Sequence, residues 1–170
     1  MKQIKALFIL LLLLPGINFI SVGQVTLPEV KIISLNYKYL KSVDDSSAAQ
    51  PVRLLEHKAA SYDLKNAEFY EEEYDNYFVS FYIPQGLILA YYDNNGKMVQ
   101  TTEKFKNVTL PKVVREAVTQ RYPQWLIAKD VYFVQYYTDA RGTKKIYKLL
   151  LENGSKRIRV KLNEKGSFIE

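Results

Sequence analysis

The chain has 170 residues, of which 48% are hydrophobic, 14 are tyrosine, one is histidine and none is cysteine. This length and composition suit one domain of ordinary size, or two small units packed together, with ample apolar material for a core. Without cysteine, a disulfide framework and a lipid-anchoring thiol are excluded. A single histidine and no cysteine also exclude most zinc sites and most hydrolase triads.

The formal net charge of +6 is distributed unevenly along the chain. Residues 24–107 contain 9 basic and 12 acidic side chains, whereas residues 108–170 contain 13 basic and 6 acidic ones. This split predicts two halves with different surfaces, of which the second can attract an acidic or anionic partner.

The first 23 residues have the three zones of a secretory signal peptide. Lys2 and Lys5 form a positive start, residues 6–14 are an unbroken apolar run, and a Pro-Gly pair ends the run before a polar exit. The run is too short for a stop-transfer helix, and no later stretch approaches roughly 18 consecutive apolar residues. We therefore expect residues 1–23 to be removed, leaving a mature chain without a transmembrane segment in the periplasm or outside the cell. The alternative, a buried N-terminal helix, would have to be apolar on all sides.

Residues 24–50 precede the first clear helix pattern. Residues 27–43 are rich in Val, Ile, Leu and Tyr, which predicts an added N-terminal strand. Residues 44–50 are polar and small, which predicts a flexible connector.

Residues 51–107 have the pattern of one helix followed by strands. After Pro51, apolar side chains recur at helical spacing as far as Tyr62, which predicts a helix over 52–62. The strands that follow are predicted over 77–83, 87–92 and 98–99, with glycine-containing turns between them. Residues 101–107 are interpreted as a linker.

Residues 108–170 have the same order of elements. Pro111 precedes a helix predicted over 112–122, and Tyr122 occupies the position of Tyr62 in the first pattern. An Asn-Gly pair, the strongest hairpin signal in the chain, joins two of the strands that follow, which are predicted over 125–128, 131–137, 145–151, 157–162 and 168–169.

The shared order predicts an α+β fold made of two tandem repeats, each a helix on an antiparallel sheet. The first, divergent repeat covers 51–107 and the second covers 108–170. Chance agreement between two α+β units is the alternative.

The second half has a pattern of core and turn residues that consists of Leu110, Pro111, Val114, Ala117, Val118, Tyr122, Pro123, Tyr147, Leu149, Leu151, Lys156, Ile158, Val160, Asn163, Gly166 and Phe168. This pattern resembles the PepSY-like family of secreted Bacteroidetes proteins that are described as β-lactamase-inhibitor-like. The resemblance covers the second half closely and residues 52–99 more loosely, and it implies helices packed on antiparallel sheet in tandem, in the periplasm or beyond, with no established enzymatic activity.

No constellation in the sequence predicts catalysis, a metal site or a cofactor. His57, within the first predicted helix, is interpreted as a surface residue. The acidic stretch 68–75 lacks the spacing of a calcium loop and is interpreted as a solvated strand edge. The glycines beyond the signal fall in turns and not in a nucleotide-binding cluster. Nucleic acid is not an expected partner, because the tyrosines and the basic residues are not interleaved on one surface.

Alternation along two pairs of strands predicts the candidate binding residues. In the second half, side chains that point away from the helix form a basic row, and in the first half they are small or aromatic, as in recognition surfaces. A solubilising surface explains the basic row as well as a docking surface does. The candidate binding residues are Ser80, Tyr82 and Tyr92 in the first half, with Ala90 beside them, and Lys148, Arg157, Arg159 and Lys161 in the second.

Two functions are compatible with these patterns. The leading hypothesis is a secreted, non-catalytic binding module whose open sheet faces engage an envelope or extracellular protein or peptide, with inhibitor or accessory factor among its roles. The alternative is a protein that binds an anionic ligand, such as polysaccharide or lipid headgroups, through the basic face of the second repeat. Steep loss of binding with salt would favour the alternative.

Overall fold

A computed structural model describes residues 35–170, so the predicted signal peptide and residues 24–34 lie outside the described residues. Over that range the chain forms three helices, which are α1 (Tyr37–Val43), α2 (Gln50–Ala60) and α3 (Lys112–Arg121). It also forms seven strands, which are β1 (Asn76–Ile83), β2 (Gly86–Asp93), β3 (Met98–Lys106), β4 (Leu126–Tyr137), β5 (Thr143–Asn153), β6 (Lys156–Asn163) and β7 (Phe168–Ile169). Among residues 35–170, no helix could span a bilayer.

The strands form one antiparallel sheet in the order β1-β2-β3-β4-β5-β6-β7. Each strand pairs with the next strand along the chain, and short turns connect all of them except β3 and β4, between which α3 is inserted. The predicted Asn-Gly turn joins β5 to β6, and Gly154 there has a positive φ of 58°. The predicted α+β class and the antiparallel sheet are confirmed.

The sheet continues across the predicted boundary between the two repeats. Residues 101–106 belong to β3, and Glu103 lies opposite Val134 of β4, so the prediction of a linker over 101–107 was wrong. The cause is that Thr101 and Glu103 occupy buried positions on the inner face, where polar side chains obscure the alternation of a strand. A helix followed by an antiparallel meander does occur in both halves, but the halves share one sheet, and their origin as tandem copies stays a prediction.

The helices cover one face of the sheet. α2 packs on β1 and β2, and its buried Val52 and Leu55 belong to the same core as Phe81 and Ile88. Tyr62, predicted inside this helix, lies just beyond its end and packs edge-on against Phe81, with ring centroids 5.3 Å apart. The buried side chains of α3 join the same core.

Helix α1 replaces the described part of the predicted N-terminal strand. Tyr39 and Val43 are buried four residues apart, which is the spacing of a helix face. The ring of Tyr39 packs edge-on against Tyr136 of β4 at 5.4 Å. Lys145 of β5 donates a hydrogen bond to the Val43 carbonyl at 2.7 Å. α1 therefore links the N-terminal part of the chain to the strands of the second half, which local spacing alone did not show.

Candidate functional site

The face of the sheet opposite the helices is the candidate site, and we call it the open face. On β1, Tyr77 and Phe81 point into the core, whereas Phe78 and Tyr82 have 68% and 77% of their surface exposed. The same alternation runs through the other long strands, because successive side chains of a strand point to opposite faces. Within residues 35–170, no buried helix side chain lies on the open face, since all belong to the core of the inner face.

The β1–β2 end of the open face carries exposed apolar side chains. We call this group the apolar patch, and it consists of Phe78, Tyr82, Leu87, Leu89 and Tyr91. Leu87 and Leu89 are 44% and 40% exposed, and the rings of Phe78 and Tyr91 pack 5.1 Å apart. Large exposed apolar side chains that lie side by side, unlike scattered ones, are typical of interaction surfaces.

Two of the three candidate residues in the first half lie on this face. Ser80 and Tyr82 are exposed beside Leu89 and Leu87, their cross-strand partners. The prediction for Tyr92, and for Ala90 next to it, was wrong, because both are completely buried. Tyr92 pairs with the inward Tyr77, so the even-numbered residues of β2 point into the core. Since β2 is apolar on both faces, its alternation could not reveal which face is which.

The β5–β6 end of the open face is basic. Arg157, Arg159 and Lys161 are exposed, while Val160 and Leu162 point into the core, which confirms their predicted orientation. Lys148 is exposed on β5 directly opposite Lys161. Like charges in this arrangement destabilise a sheet, so the pair costs free energy unless an anion compensates it.

The basic surface is larger than the sequence predicted. Lys104 and Lys106 lie exposed on β3, and Lys129 of β4 lines a groove together with Lys148, Arg159 and Lys161. Within residues 35–170 none of these cations forms an ion pair, whereas Arg157 is bound to Glu152 at 2.7 Å. Alternation along 102–106 could have revealed Lys104 and Lys106 if the strand predicted over 98–99 had been extended to residue 106.

Lys104 joins the two parts of the open face. Its neighbours across the strands are Leu87 of the apolar patch on one side and Phe133 of β4 on the other. The Phe133 ring in turn lies 4.8 Å from the ammonium group of Lys148. The open face is therefore one surface, apolar at one end and cationic at the other.

A second group of polar side chains lies beneath the helices and was not predicted. Glu103 of β3 is completely buried, and one of its oxygens accepts hydrogen bonds from Tyr39 and Thr101, both at 2.8 Å. Its second oxygen, and both oxygens of the buried Glu56 of α2, have no hydrogen-bond donor among the described side chains. Burial without hydrogen-bond donors favours the protonated, neutral form of a carboxyl group.

Burial is the main reason why the pKa of each of these two carboxyl groups is raised. It raises the pKa of Glu56 well above its usual range, and the neighbouring charge of Glu103 raises it further. Burial likewise raises the pKa of Glu103, while the hydrogen bonds from Thr101 and Tyr39 and the charge of Lys145 oppose the rise. Because both carboxyl groups are sealed from solvent, the pair belongs to the packing of the core and not to a site of chemistry.

Of the two other polar candidates, one lies where the sequence indicated and one does not. His57 is exposed on α2, as predicted. The acidic stretch 68–75 is also exposed, but the prediction of a strand edge was wrong, because the stretch forms a loop before β1. Within residues 35–170, no group of three metal-binding side chains comes together.

Comparisons with known proteins give two structural likenesses. The chain is similar to a BLIP-like protein from Bacteroides fragilis, with 19% identity, a TM-score of 0.33 and coverage of 59% of this chain and 69% of that one. It is similar to a DUF2874 family protein from Bacteroides ovatus, with 13% identity, a TM-score of 0.34 and coverage of 59% and 70%. No family model matches the chain, and no curated protein matches it.

Proposed function

We propose that the protein is a secreted, non-catalytic binding module that engages an envelope or extracellular protein or peptide through the open face of its sheet. The observation that carries this proposal is the apolar patch, in which Phe78 and Tyr82 are more than two-thirds exposed on a sheet face that no described helix covers. Aromatic side chains are enriched where proteins bind one another, because they bury a large area at a small entropic cost.

The cations beside the patch favour a partner whose surface is apolar in one part and acidic in the other. Lys104 adjoins the patch, and Arg159 and Lys161 lie farther along the same face. Charges of this kind increase the rate of association and select the orientation of the partner, while buried apolar contacts supply most of the affinity. An inhibitor or accessory factor of another envelope protein fits this division of roles.

A second candidate, an anionic polysaccharide or lipid headgroup, is favoured by one specific observation. Lys148 and Lys161 lie opposite each other with no ion pair among the described residues, in a groove that Arg159 also lines. A ligand of this class would be held by the cations alone, and the apolar patch would not contribute.

Two variants of the exported protein distinguish the candidates in a pull-down from the native envelope. The patch variant carries Phe78→Ser and Tyr82→Ser in the apolar patch. The row variant carries Arg157→Ala, Arg159→Ala and Lys161→Ala in the basic row of β6. For a protein partner we expect the patch variant to lose a specific band, and the row variant to weaken it by about tenfold or less, since rim charges act mainly on the association rate.

The salt dependence completes this test. A protein partner held by the patch should stay bound when salt is raised, whereas an anionic polymer should be released steeply. Both variants should melt within a few degrees of the parent, because exposed positions contribute little to stability. If both variants fold and still retain every partner, the open face is not the binding site.

A further inference from the structure

Strand β1 is an edge of the sheet without the usual protection against pairing. It runs for 8 residues and contains no charged residue, proline or glycine. Its neighbour on one side is β2, and within residues 35–170 no strand pairs with its other side. Soluble proteins ordinarily protect such an edge with charge, a bulge or a short strand, because its free backbone groups are a template for another strand.

The opposite edge of the same sheet has this protection. β7 consists of only Phe168 and Ile169. Most of β6 beyond it carries exposed cations, among them Arg157 and Arg159. The contrast between the two edges indicates that β1 has a partner strand.

We propose that the partner of β1 is β1 of a second copy of this chain, paired antiparallel about a two-fold axis at Ser80. In this register Phe78 of each copy lies opposite Tyr82 of the other on the open face, and Val79 lies opposite Phe81 on the inner face. Residues that lie directly opposite each other in an antiparallel pair point to the same face of the sheet. In this register, each residue of the open face therefore lies opposite a residue of the open face, and each inner residue lies opposite an inner residue. Ser80, which is small, then meets itself at the axis.

Charge complementarity selects an antiparallel second copy. The exposed acidic residues Glu71, Glu72, Glu73 and Asp75 immediately precede β1. Two lysines lie near the other end of the strand. Lys58 lines a groove with Ile83 and Pro84. The exposed Lys106 of β3 is held next to the turn after β1, because its backbone N–H donates a hydrogen bond to the Gln85 carbonyl at 2.8 Å. Antiparallel pairing brings the acidic end of each copy to the basic end of the other, whereas parallel pairing would place acid beside acid.

The apolar surfaces next to β1 complement each other in the same register. Phe69 and Tyr74, which pack around Tyr77 at the start of the strand, are each about half exposed. At the end of the strand, Leu54 of α2 is 62% exposed beside the groove at Pro84. The two-fold axis places the loop that carries Phe69 and Tyr74 of each copy against this groove of the other copy. Isologous contacts of this kind form closed dimers.

The mass of the exported protein in solution tests the proposal. We expect analytical ultracentrifugation to give twice the mass of one chain, and Ser80→Lys to reduce it to a single chain, because two lysines would face each other at the axis. Thr102→Lys is the matched control. It adds the same charge to the same cross-strand row, two strands away from the edge, and should leave the dimer intact.

A cysteine in place of Ser80 tests the register. The natural chain has no cysteine, so any disulfide-linked dimer must come from the introduced residue. Residues opposite each other in an antiparallel pair lie close to disulfide distance, so Ser80→Cys should cross-link on mild oxidation and Thr102→Cys should not.

Two results would overturn the proposal. The first is a single-chain mass at the highest concentration that the protein tolerates, which is also the result expected if residues before 35 of the same chain cover β1. The second is a dimer that persists in folded Ser80→Lys while Ser80→Cys fails to cross-link. This proposal goes beyond the proposed function, and either result leaves the binding role of the open face untouched.

Discussion

Neighbouring residues of β6 differ in what their side chains do for the fold. Val160 is only 9% exposed and belongs to the core, whereas Arg159 beside it points to solvent. Truncating the first side chain removes apolar contacts and leaves a cavity, whereas truncating the second removes a solvated charge.

We therefore expect Val160→Ala to lower the free energy of unfolding by about 1 to 3 kcal/mol. Arg159→Ala, its matched control on the opposite face, should change it by about 0.5 kcal/mol or less. Urea titration of both variants measures the difference. Equal losses in the two variants would contradict the separation of faces along β6.

At the scale of elements, α3 is held close to the turn between β6 and β7. Gly166 in that turn has a positive φ of 77°, and a Cβ atom there would lie 2.9 Å from the Val113 carbonyl oxygen at the start of α3. Glycine is needed at this position both for the backbone conformation and for the close approach of the helix. Gly154, in the turn between β5 and β6, has a similar φ of 58°, but a Cβ atom there would meet nothing within 4 Å.

This difference predicts unequal effects of alanine at the two turns. Gly154→Ala should cost about 1 to 2 kcal/mol, because only the left-handed backbone conformation is penalised. Gly166→Ala should cost clearly more, since α3 must also move away from the turn. Thermal unfolding measures the loss of stability in each variant. If Gly166→Ala were as stable as Gly154→Ala, α3 would not pack closely against the turn between β6 and β7.

At the scale of the whole molecule, the buried carboxyl groups couple the helical layer to the sheet. Glu56 comes from α2 and Glu103 from β3, and Tyr39 of α1 donates a hydrogen bond to Glu103. The connector residues Asp44 and Asp45 also raise the pKa of Glu56, whereas Lys145 of β5 lowers it. Groups from the helical layer, the connector and the sheet therefore all act on the ionisation of Glu56, and burial outweighs the opposing charge of Lys145.

The sign of the pH dependence follows from the raised pKa of Glu56. Burial, together with Glu103, raises this pKa from 4.5 to about 9. The resulting stabilisation is fully present below pH 4.5, decreases as the pH rises, and is lost above about pH 9. The raised pKa of Glu103 acts in the same direction. We expect the melting temperature to fall between pH 5 and pH 9, and to fall less in Glu56→Gln, whose side chain stays neutral throughout.

An exposed glutamate provides the control for this prediction. Glu116 of α3 faces solvent beside Lys112, so Glu116→Gln should follow the melting profile of the parent. If Glu56→Gln and the parent had parallel profiles over this pH range, Glu56 would already be ionised in the folded protein.

Many elements were predictable from the sequence because their signals are local. α3 and the β5–β6 hairpin were recognised from helical spacing and from an Asn-Gly turn, and both were found within a few residues of the predicted bounds. The outward orientation of Arg157, Arg159 and Lys161 was predictable for the same reason, since charged and apolar side chains alternate from Arg157 to Leu162. The sequence by itself thus determined the α+β class, the antiparallel pairing and the basic end of the open face.

Tertiary structure alone decided the features that depend on distant neighbours. β3 was predicted over 98–99 only, and the rest of it was missed because Glu103 is buried, with one carboxyl oxygen accepting hydrogen bonds from Tyr39 and Thr101. Tyr92 was placed on the wrong face because β2 is apolar on both sides and only its pairing with β1 sets the face. α1 became a helix because Tyr39 and Val43 meet a core built by strands about a hundred residues away. Local spacing reports the period of an element, whereas the face that it buries is set by the surface on which it packs.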